Sequence, residues 1–215
     1  MNENSYSNIM IKGLKKGNPK LKADGFLLPF YQTSKTLEDF DNFNKFIKGC
    51  EHMIRTSKEY KAYINYLKKD IGLNYDMVMP NIHSEEGKKT TVEMHHGPII
   101  TLYDYCAMVT DHLLKNNIPV TSFRIFELVI QEHRLNNVRI VMLSCNNHAL
   151  VHSGDLYLDP KMGWGDQNRF LEKYSDGISK KMRSIINKNI EIGKQIHSFD
   201  KNNILDINVE RWDNR

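Results

Sequence analysis

Apolar side chains recur every three or four residues through much of the N-terminal half, and this spacing predicts amphipathic helices. The first pattern covers residues 38–55. A second helix is predicted from Thr56, because Thr56 and Glu59 have the spacing of a capping box, and Gly72 is a suitable stop. Ahead of both helices, residues 1–24 form a basic, polar lead-in. A solvated arm and an arm that contacts phosphate both fit that charge.

The middle of the chain combines two short β-like runs with two further helical patterns. Residues 90–94 and residues 138–143 are rich in β-branched and other apolar side chains, which predicts strands. Between these runs, apolar positions recur at helical spacing over about 102–116 and 122–135. A short helix over residues 145–152 is expected directly after the second run.

The remainder of the chain is predicted to be mostly helical and basic. Gly154 is expected to stop the short helix, and residues 155–159 are expected to form one more short strand. Residues 166–197 follow as helix, with six basic side chains between Lys173 and Lys194. A solvated helix face and a face that follows nucleic-acid phosphates both fit this charge.

Composition limits the class of protein. Of the 215 residues, 40% are hydrophobic, which is enough for a sizeable core and too many for a wholly disordered chain. No apolar run approaches the roughly 20 residues that cross a bilayer, and the polar N-terminus lacks a signal-peptide pattern. Three widely separated cysteines argue against a disulfide scaffold. We therefore expect a cytoplasmic protein with no membrane partner, and its net charge of +4 permits a polyanionic one.

Four of the nine histidines fall into two tight groups, His95 with His96 and His148 with His152. Neighbouring residues on a strand point to opposite faces, so the first group alone fits one buried and one solvated imidazole. Residues four apart on a helix share a face, so the second group can place two imidazoles on one metal ion. The chain has no His-Glu-x-x-His sequence, so a zinc protease would lack its general base.

The order of these groups resembles that of the HNH endonucleases, also called His-Me finger or ββα-metal nucleases. Glu93–His96 reads Glu-x-His-His, Asn137–Ile140 reads Asn-x-Arg-hydrophobic, and His148–Gly154 reads His-x-x-x-His-x-Gly. This pattern is most similar to the histidine-rich version in colicin-type bacteriocin DNases and covers about residues 90–160. The resemblance implies an α+β fold in which a ββα-metal module is embedded in a mostly helical protein.

The resemblance also implies a role for each matched histidine. His96 aligns with the general base, which activates a water to attack phosphorus. The other three histidines align with the ligands of a single divalent metal ion: His95, His148 and His152. An unligated imidazole suits the base role because its pKa of about 6.5 permits proton removal near neutrality.

Three other residues in the motif receive roles from the resemblance. Asn137 aligns with the residue that braces the active-site loop and the base, and Asn136 takes its place if the turn differs by one residue. Glu93 aligns with an acidic residue that supports the site. Arg139 is the arginine nearest to the motif, and it fits either a transition-state contact or an exposed strand position.

The expected ion suits the expected reaction. Three neutral imidazoles leave a divalent ion fully charged with open positions, and such an ion neutralises the charge that develops on phosphate during hydrolysis. Nitrogen ligands favour Zn, Ni, Co or Mn over Mg. The ion that supports turnover need not be the one bound most tightly, so we expect one divalent ion, with Zn, Ni, Mn and Mg as the candidates for turnover.

The predicted organisation has three parts. Residues 1–85 form the basic arm and a helical region, residues 86–160 form the HNH-like module, and residues 161–215 form a basic helical extension. The module contains a two-helix insertion at about 102–135, which lengthens the interval between His96 and the Asn of the motif. These helices shape access to the site, recruit a partner, or stabilise a small module whose own core is thin.

We predict a metal-dependent HNH-type endonuclease that hydrolyses phosphodiester bonds, foremost in DNA. Its small size fits an enzyme encoded by a bacteriophage or by a mobile element. Two alternatives stay open: a non-catalytic nucleic-acid-binding or phage assembly protein with a structural ion, and an RNase that uses the same site. His96 distinguishes the enzyme from the structural protein. A free base beside an ion with open positions favours catalysis, whereas a buried His96 favours a structural role.

Overall fold

The computed structural model describes residues 32, 34–84, 91–159, 161–180, 182–188 and 191. The predicted arm at 1–24 and the end of the predicted C-terminal helix lie outside these residues. The elements in chain order are α1 (Ser34–Leu37), α2 (Phe40–Thr56), α3 (Lys58–Lys69), β1 (Val92–His96), α4 (Leu102–Lys115), α5 (Ser122–Arg134), β2 (Ile140–Ser144), α6 (Cys145–Ser153), α7 (Gln167–Lys173) and a short 3-10 helix at Ser175–Gly177.

The predicted helices of the N-terminal half are confirmed, with one correction where they meet. α2 begins after Asp39, whose side chain caps it, and its apolar side is buried. α3 is capped by Ser57, whose side chain accepts the backbone N–H of Tyr60. The predicted capping box at Thr56 is therefore wrong. Thr56 ends α2, and its hydroxyl donates to the backbone carbonyl of His52 at 2.8 Å.

The two β-like runs form an antiparallel two-stranded sheet. Val92 of β1 lies opposite Ser144 of β2, and His96 lies opposite Ile140. The strand predicted at 155–159 is not formed. The edge of β2 that faces away from β1 is hydrogen-bonded to other parts of the chain. The N–H of Met77 donates to the carbonyl of Met142 at 2.8 Å, and Ile140 and Trp164 each donate a backbone N–H to the carbonyl of the other.

The helices predicted as an insertion lie in the core. α4 contacts α2, α5 and the short 3-10 helix. Its buried side chains surround the helix and are Leu102, Tyr105, Cys106, Ala107, Met108, Val109, Thr110 and Leu113. A helix that is apolar on most sides belongs inside a protein. The core extends from Leu37 to Ile186, so the described parts of all three predicted segments share it. These helices contact the sheet region through His133, whose Nε2 lies 2.9 Å from that of His96, and through the hydroxyl of Tyr105, which accepts the backbone N–H of Arg139 at 3.1 Å.

β2 leads directly into α6. Ser144 ends the strand and caps the helix, because its side chain accepts the N–H of Asn147. The helix ends at Gly154, which has a left-handed backbone (φ +83°), so the predicted stop is confirmed. The protein is thus mixed helix and strand and mostly helical, with one small two-stranded antiparallel sheet whose strands are separated in the chain by α4 and α5.

Candidate metal centre

The alternation of β1 divides its side chains between two environments. Val92, Met94 and His96 are buried, Glu93 is exposed and His95 is half-buried. Successive side chains of a strand point to opposite faces. Glu93 and His95 therefore share one face, and this face contacts the side chains of α6.

α6 brings its two histidines to that face. His148 and His152 are four residues apart, so they lie one turn from each other on the same side of the helix. The ring of His95 lies 5.1 Å from that of His148 and 5.2 Å from that of His152, measured between centroids. The three predicted ligands therefore meet, although they come from two elements that are separated by about 50 residues of chain.

The three rings offer a compact set of nitrogen ligands, which we call the histidine cluster (His95, His148 and His152). One ligand nitrogen from each ring lies within 4.8 Å of the others. The Nε2 atoms of His148 and His152 are 3.1 Å apart. Nitrogen ligands about 2.0–2.1 Å from a tetrahedral ion lie roughly 3.3 Å from one another. The donor set therefore fits a divalent transition-metal ion such as zinc.

Glu93 orients one of these rings. The Nδ1–H of His148 donates to Oε2 of Glu93 at 2.6 Å, which leaves Nε2 to face His152. This bond is the main cause that lowers the pKa of Glu93 below its usual value. The other carboxylate oxygen accepts from the thiol of Cys145 at 3.4 Å. A carboxylate behind a histidine ligand fixes the ring and raises the basicity of its free nitrogen.

One ring of the histidine cluster, that of His95, is kept neutral chiefly by its burial. Burial, followed by the neighbouring His148, His152 and Arg55, lowers the pKa of His95 to about 4. Its imidazole is therefore neutral near pH 7, as a metal ligand must be. His152 is exposed and the other two rings are half-buried, so the cluster has a side open to solvent.

His96 lies on the opposite face of β1 and does not join the histidine cluster. Its side chain is 3% exposed and stacks on Tyr60. Its Nε2 lies 2.9 Å from Nε2 of His133, a fully buried histidine of α5. Burial, followed by the neighbouring His133, holds the pKa of His96 well below its usual value. This placement corrects the expectation that His95 and His96 serve one site, because strand alternation sends His96 into the core.

The hydrogen bonds fix the tautomers of this buried pair, His96 and His133. The backbone carbonyl of Val129 can only accept, so Nδ1–H of His133 donates to it at 2.6 Å. Nε2 of His133 is then an acceptor, and Nε2–H of His96 donates to it. The remaining nitrogen of His96, Nδ1, is buried and has no hydrogen-bond partner among the described residues. A general base needs a free nitrogen beside solvent, and the free nitrogen of His96 lies inside the core.

Two further residues of the motif are held by other parts of the fold. Asn137 is buried just after α5, where its side-chain amide donates to Glu132 at 2.7 Å. Arg139 donates to the backbone carbonyls of Lys161 and Gly165, both at 3.1 Å. Asn137 thus ties the turn after α5 to a buried carboxylate within that helix. Arg139 ties the start of β2 to the loop before α7.

Sequence reasoning missed a buried carboxylate beside the candidate site. Asp76 is fully buried and accepts the backbone N–H of Ser144 and the side-chain amide of Asn147, the residue before His148. It also missed His133, the partner of His96. Neither residue has a motif around it, because both act through contacts between distant parts of the chain.

The fold and the histidine cluster define a mostly helical protein with a small sheet and a candidate three-histidine metal centre. The chain belongs to the bacteriophage G278-like virion protein family, whose family model matches residues 9–212. The expected phage origin is thereby supported, and the match gives no evidence of membership in the HNH endonucleases. No curated protein and no solved structure matches the chain. Over its described residues, no helix is long and apolar enough to cross a membrane.

Proposed function

We propose that this virion protein binds one divalent transition-metal ion at the histidine cluster and hydrolyses phosphodiester bonds in nucleic acid, with DNA as the first candidate substrate. One observation carries the proposal. Three imidazoles converge from a strand and a helix, and the side of the cluster at His152 is open to solvent. Three protein ligands with an open position are typical of catalytic zinc, whereas structural zinc sites are closed by a fourth protein ligand.

The arrangement of the elements supports phosphodiester chemistry in particular. The paired strands β1 and β2 and the helix α6 surround the cluster, as the resemblance to the HNH endonucleases implies, although α4 and α5 separate the two strands in the chain. A divalent ion at this position supplies positive charge to a phosphate and so stabilises the charge that develops during hydrolysis. Glu93 holds His148 in the tautomer that can bind an ion.

Two cationic side chains also act on the site. Arg55, after burial, His148 and His152, contributes to the low pKa of His95, and its guanidinium is paired with Glu51 at 2.8 Å. Lys68, after the hydrogen bonds from His148 and Cys145, contributes to the low pKa of Glu93. Lys68 lies against β1, where its ammonium group donates to the backbone carbonyl of Val92 at 2.5 Å. Positive charge beside an open metal site attracts a phosphate backbone.

We assign no base role to His96, because its free nitrogen is buried in the core. This observation favours a second candidate, a non-catalytic virion assembly protein that uses the ion to fix α6 against the sheet. A metal ion bound only by the folded state stabilises it, so an ion can serve assembly without catalysis.

A cleavage assay separates the two candidates. The purified full chain is incubated with supercoiled plasmid or with a structured RNA in the presence of Mg²⁺, Mn²⁺, Ni²⁺ or Zn²⁺. His148→Ala removes a ligand, and His52→Ala is a matched control because His52 is an exposed helical histidine outside the cluster. The proposal predicts metal-dependent cleavage by the wild type and the His52 variant but not by the His148 variant.

The other outcomes are equally informative. Tight ion binding without cleavage of either nucleic acid supports the assembly role and contradicts the enzyme. Cleavage of RNA alone keeps the chemistry but changes the substrate. Equal cleavage by the wild type and His148→Ala identifies a contaminating nuclease and overturns the proposal.

A further inference from the structure

We infer that Asp76 is a positioning residue that fixes the start of α6 relative to the sheet and thereby sets the spacing of the histidine cluster. The inference rests on the proposed metal site and adds to it a residue outside the motif. Asp76 belongs to the loop between α3 and β1, about 20 residues before His95 and 70 before His148.

Both oxygens of the Asp76 carboxylate are fully used. Oδ1 accepts the backbone N–H groups of Val78 at 2.8 Å and Met79 at 2.9 Å. Oδ2 accepts the backbone N–H of Ser144 at 2.7 Å and the side-chain amide of Asn147 at 2.8 Å. The side chain is 0% exposed. A buried carboxylate with four donors is held in one place, because each lost bond would leave a polar group unpaired in the interior.

The two donors on Oδ2 are the ones that matter for the site. Ser144 is the N-cap of α6, and Asn147 directly precedes the ligand His148. The first turn of a helix has N–H groups without helical partners and carries partial positive charge, so a carboxylate there is favourable. Asp76 therefore fixes both the backbone at which α6 begins and the turn that carries His148.

The loop around Asp76 is itself anchored to the sheet. The N–H of Asp76 donates to the carbonyl of Ile82 at 2.8 Å, which closes the loop on itself. The N–H of Met77 donates to the carbonyl of Met142 in β2, also at 2.8 Å. Since β2 pairs with β1, the loop is joined both to the sheet that carries His95 and to the helix that carries the other two ligands. The angle between sheet and helix determines how the three rings meet.

Asp76→Asn tests the inference with almost no change of volume. In the wild type, each carboxylate oxygen of Asp76 faces two donors. The amide of the variant offers only one acceptor oxygen, and an NH₂ group takes the place of the other. Whichever way the amide turns, its NH₂ opposes two N–H donors. We expect α6 to shift at its start and the affinity for Co²⁺ to fall about tenfold, as is typical when a group behind a metal ligand is changed.

The experiment is a Co²⁺ titration of the full chain, followed by the visible absorption of the bound ion, at a temperature where each variant is folded. Asn147→Ala removes one of the four bonds and should weaken binding by a smaller factor in the same direction. Glu132→Gln is the matched control, because Glu132 is also a fully buried carboxylate but bonds to Asn137, Lys173 and Tyr174. It should lower the Tm and leave both the Co²⁺ affinity and the absorption bands unchanged.

The outcomes distinguish this inference from the proposed function. If the folded Asp76→Asn variant binds Co²⁺ as tightly as the wild type, the positioning role is wrong and the metal site stands. If Asp76→Asn does not fold, Asn147→Ala decides, and an unchanged affinity in that variant overturns the role. If the wild type binds no Co²⁺, the metal site and the positioning role both fail.

Discussion

The two faces of β1 carry adjacent histidines in opposite environments. His95 is half-buried and shares a nitrogen cluster with His148 and His152 of α6. His96 is almost fully buried and bonds to His133 of α5. On the first face, His95 lies beside two other imidazoles at a partly exposed surface, where it can bind a cation. On the other face, the same side chain is a neutral polar group inside the core.

The contrast shows that residue type alone does not assign a histidine to catalysis or to structure. Burial is the largest cause that lowers the pKa of both His95 and His96, so both rings are neutral near pH 7. What differs is the set of groups that each ring faces. A shift of β1 by one residue would exchange the two faces, so the register Val92 opposite Ser144 determines which histidine faces His148 and His152.

The largest expected effect is the loss of ion binding when His152 is changed. His152→Ala leaves two histidine ligands, and it removes an exposed side chain that contributes little to the core. We expect Co²⁺ binding to disappear in isothermal titration while the ion-free protein unfolds at an unchanged Tm. Retained binding at wild-type affinity would show that the histidine cluster is not the metal site.

The next effect is a pH dependence of the free energy of unfolding, which arises from His133, the buried partner of His96. Burial, the largest cause, lowers the pKa of His133 from 6.5 to about 4, against the raising effects of the Val129 carbonyl and Glu132. The unfolded chain takes up a proton near pH 6.5, whereas the folded chain stays neutral until about pH 4. The contribution of His133 to the free energy of unfolding is therefore greatest above pH 6.5, and it falls by up to about 3 kcal/mol as the pH drops towards 4.

Urea denaturation of ion-free protein between pH 4 and 8 measures this dependence. Asp111 acts in the opposite direction, because burial raises its pKa to about 6 and folding then favours its protonated form at low pH. Comparison with His133→Gln isolates the contribution of His133, since Asp111 and His96 are present in both proteins. Identical pH profiles for the wild type and His133→Gln would contradict the buried-pair assignment.

At neutral pH, we expect His133→Gln to lower the stability of the protein without weakening ion binding. In His133→Gln, the N–H of His96 loses its acceptor, and the bond to the Val129 carbonyl is lost or remade with different geometry. An unpaired polar group in a core costs about 1–3 kcal/mol. We expect a decrease of that size in the free energy of unfolding and a Co²⁺ affinity within about threefold of the wild type. A large loss of affinity would mean that the two faces are not separate.

The smallest expected effect concerns the carboxylate behind the histidine cluster. Glu93→Gln keeps an acceptor oxygen for His148 but removes the negative charge that raises the basicity of that ring. We expect about a tenfold loss of Co²⁺ affinity and no change in Tm, because Glu93 is exposed. Glu59→Gln, a change of the same chemistry at an exposed position of α3, should leave the affinity unchanged.

Much of the fold could be predicted from the sequence because it depends on local patterns. The apolar spacing of α2, α4 and α5 predicted those helices within a few residues, and the β-branched runs predicted both strands. The i, i+4 spacing and the order of the motif predicted that His148 and His152 would meet His95. Each of these features is determined by residues that are close in sequence, or by the order in which the short motifs occur along the chain.

The remainder depended on contacts between distant segments. The environment of His96 is set by Tyr60 and His133, which lie on α3 and α5, and no local pattern shows that they approach β1. Two of the four hydrogen bonds of Asp76 join its loop to a strand–helix junction almost 70 residues away. The strand expected at 155–159 failed for the same reason, because Met77 and Trp164 occupy the edge where it would have paired.

The most direct test of the central claim is a Co²⁺ titration of the wild type beside His95→Ala and His96→Ala. The two variants remove adjacent side chains of the same type from opposite faces of one strand. If His95 binds the ion and His96 does not, the absorption bands of a nitrogen-bound Co²⁺ are expected in the wild type and in folded His96→Ala, and none in His95→Ala. Loss of the bands in folded His96→Ala, or their persistence in His95→Ala, would contradict it.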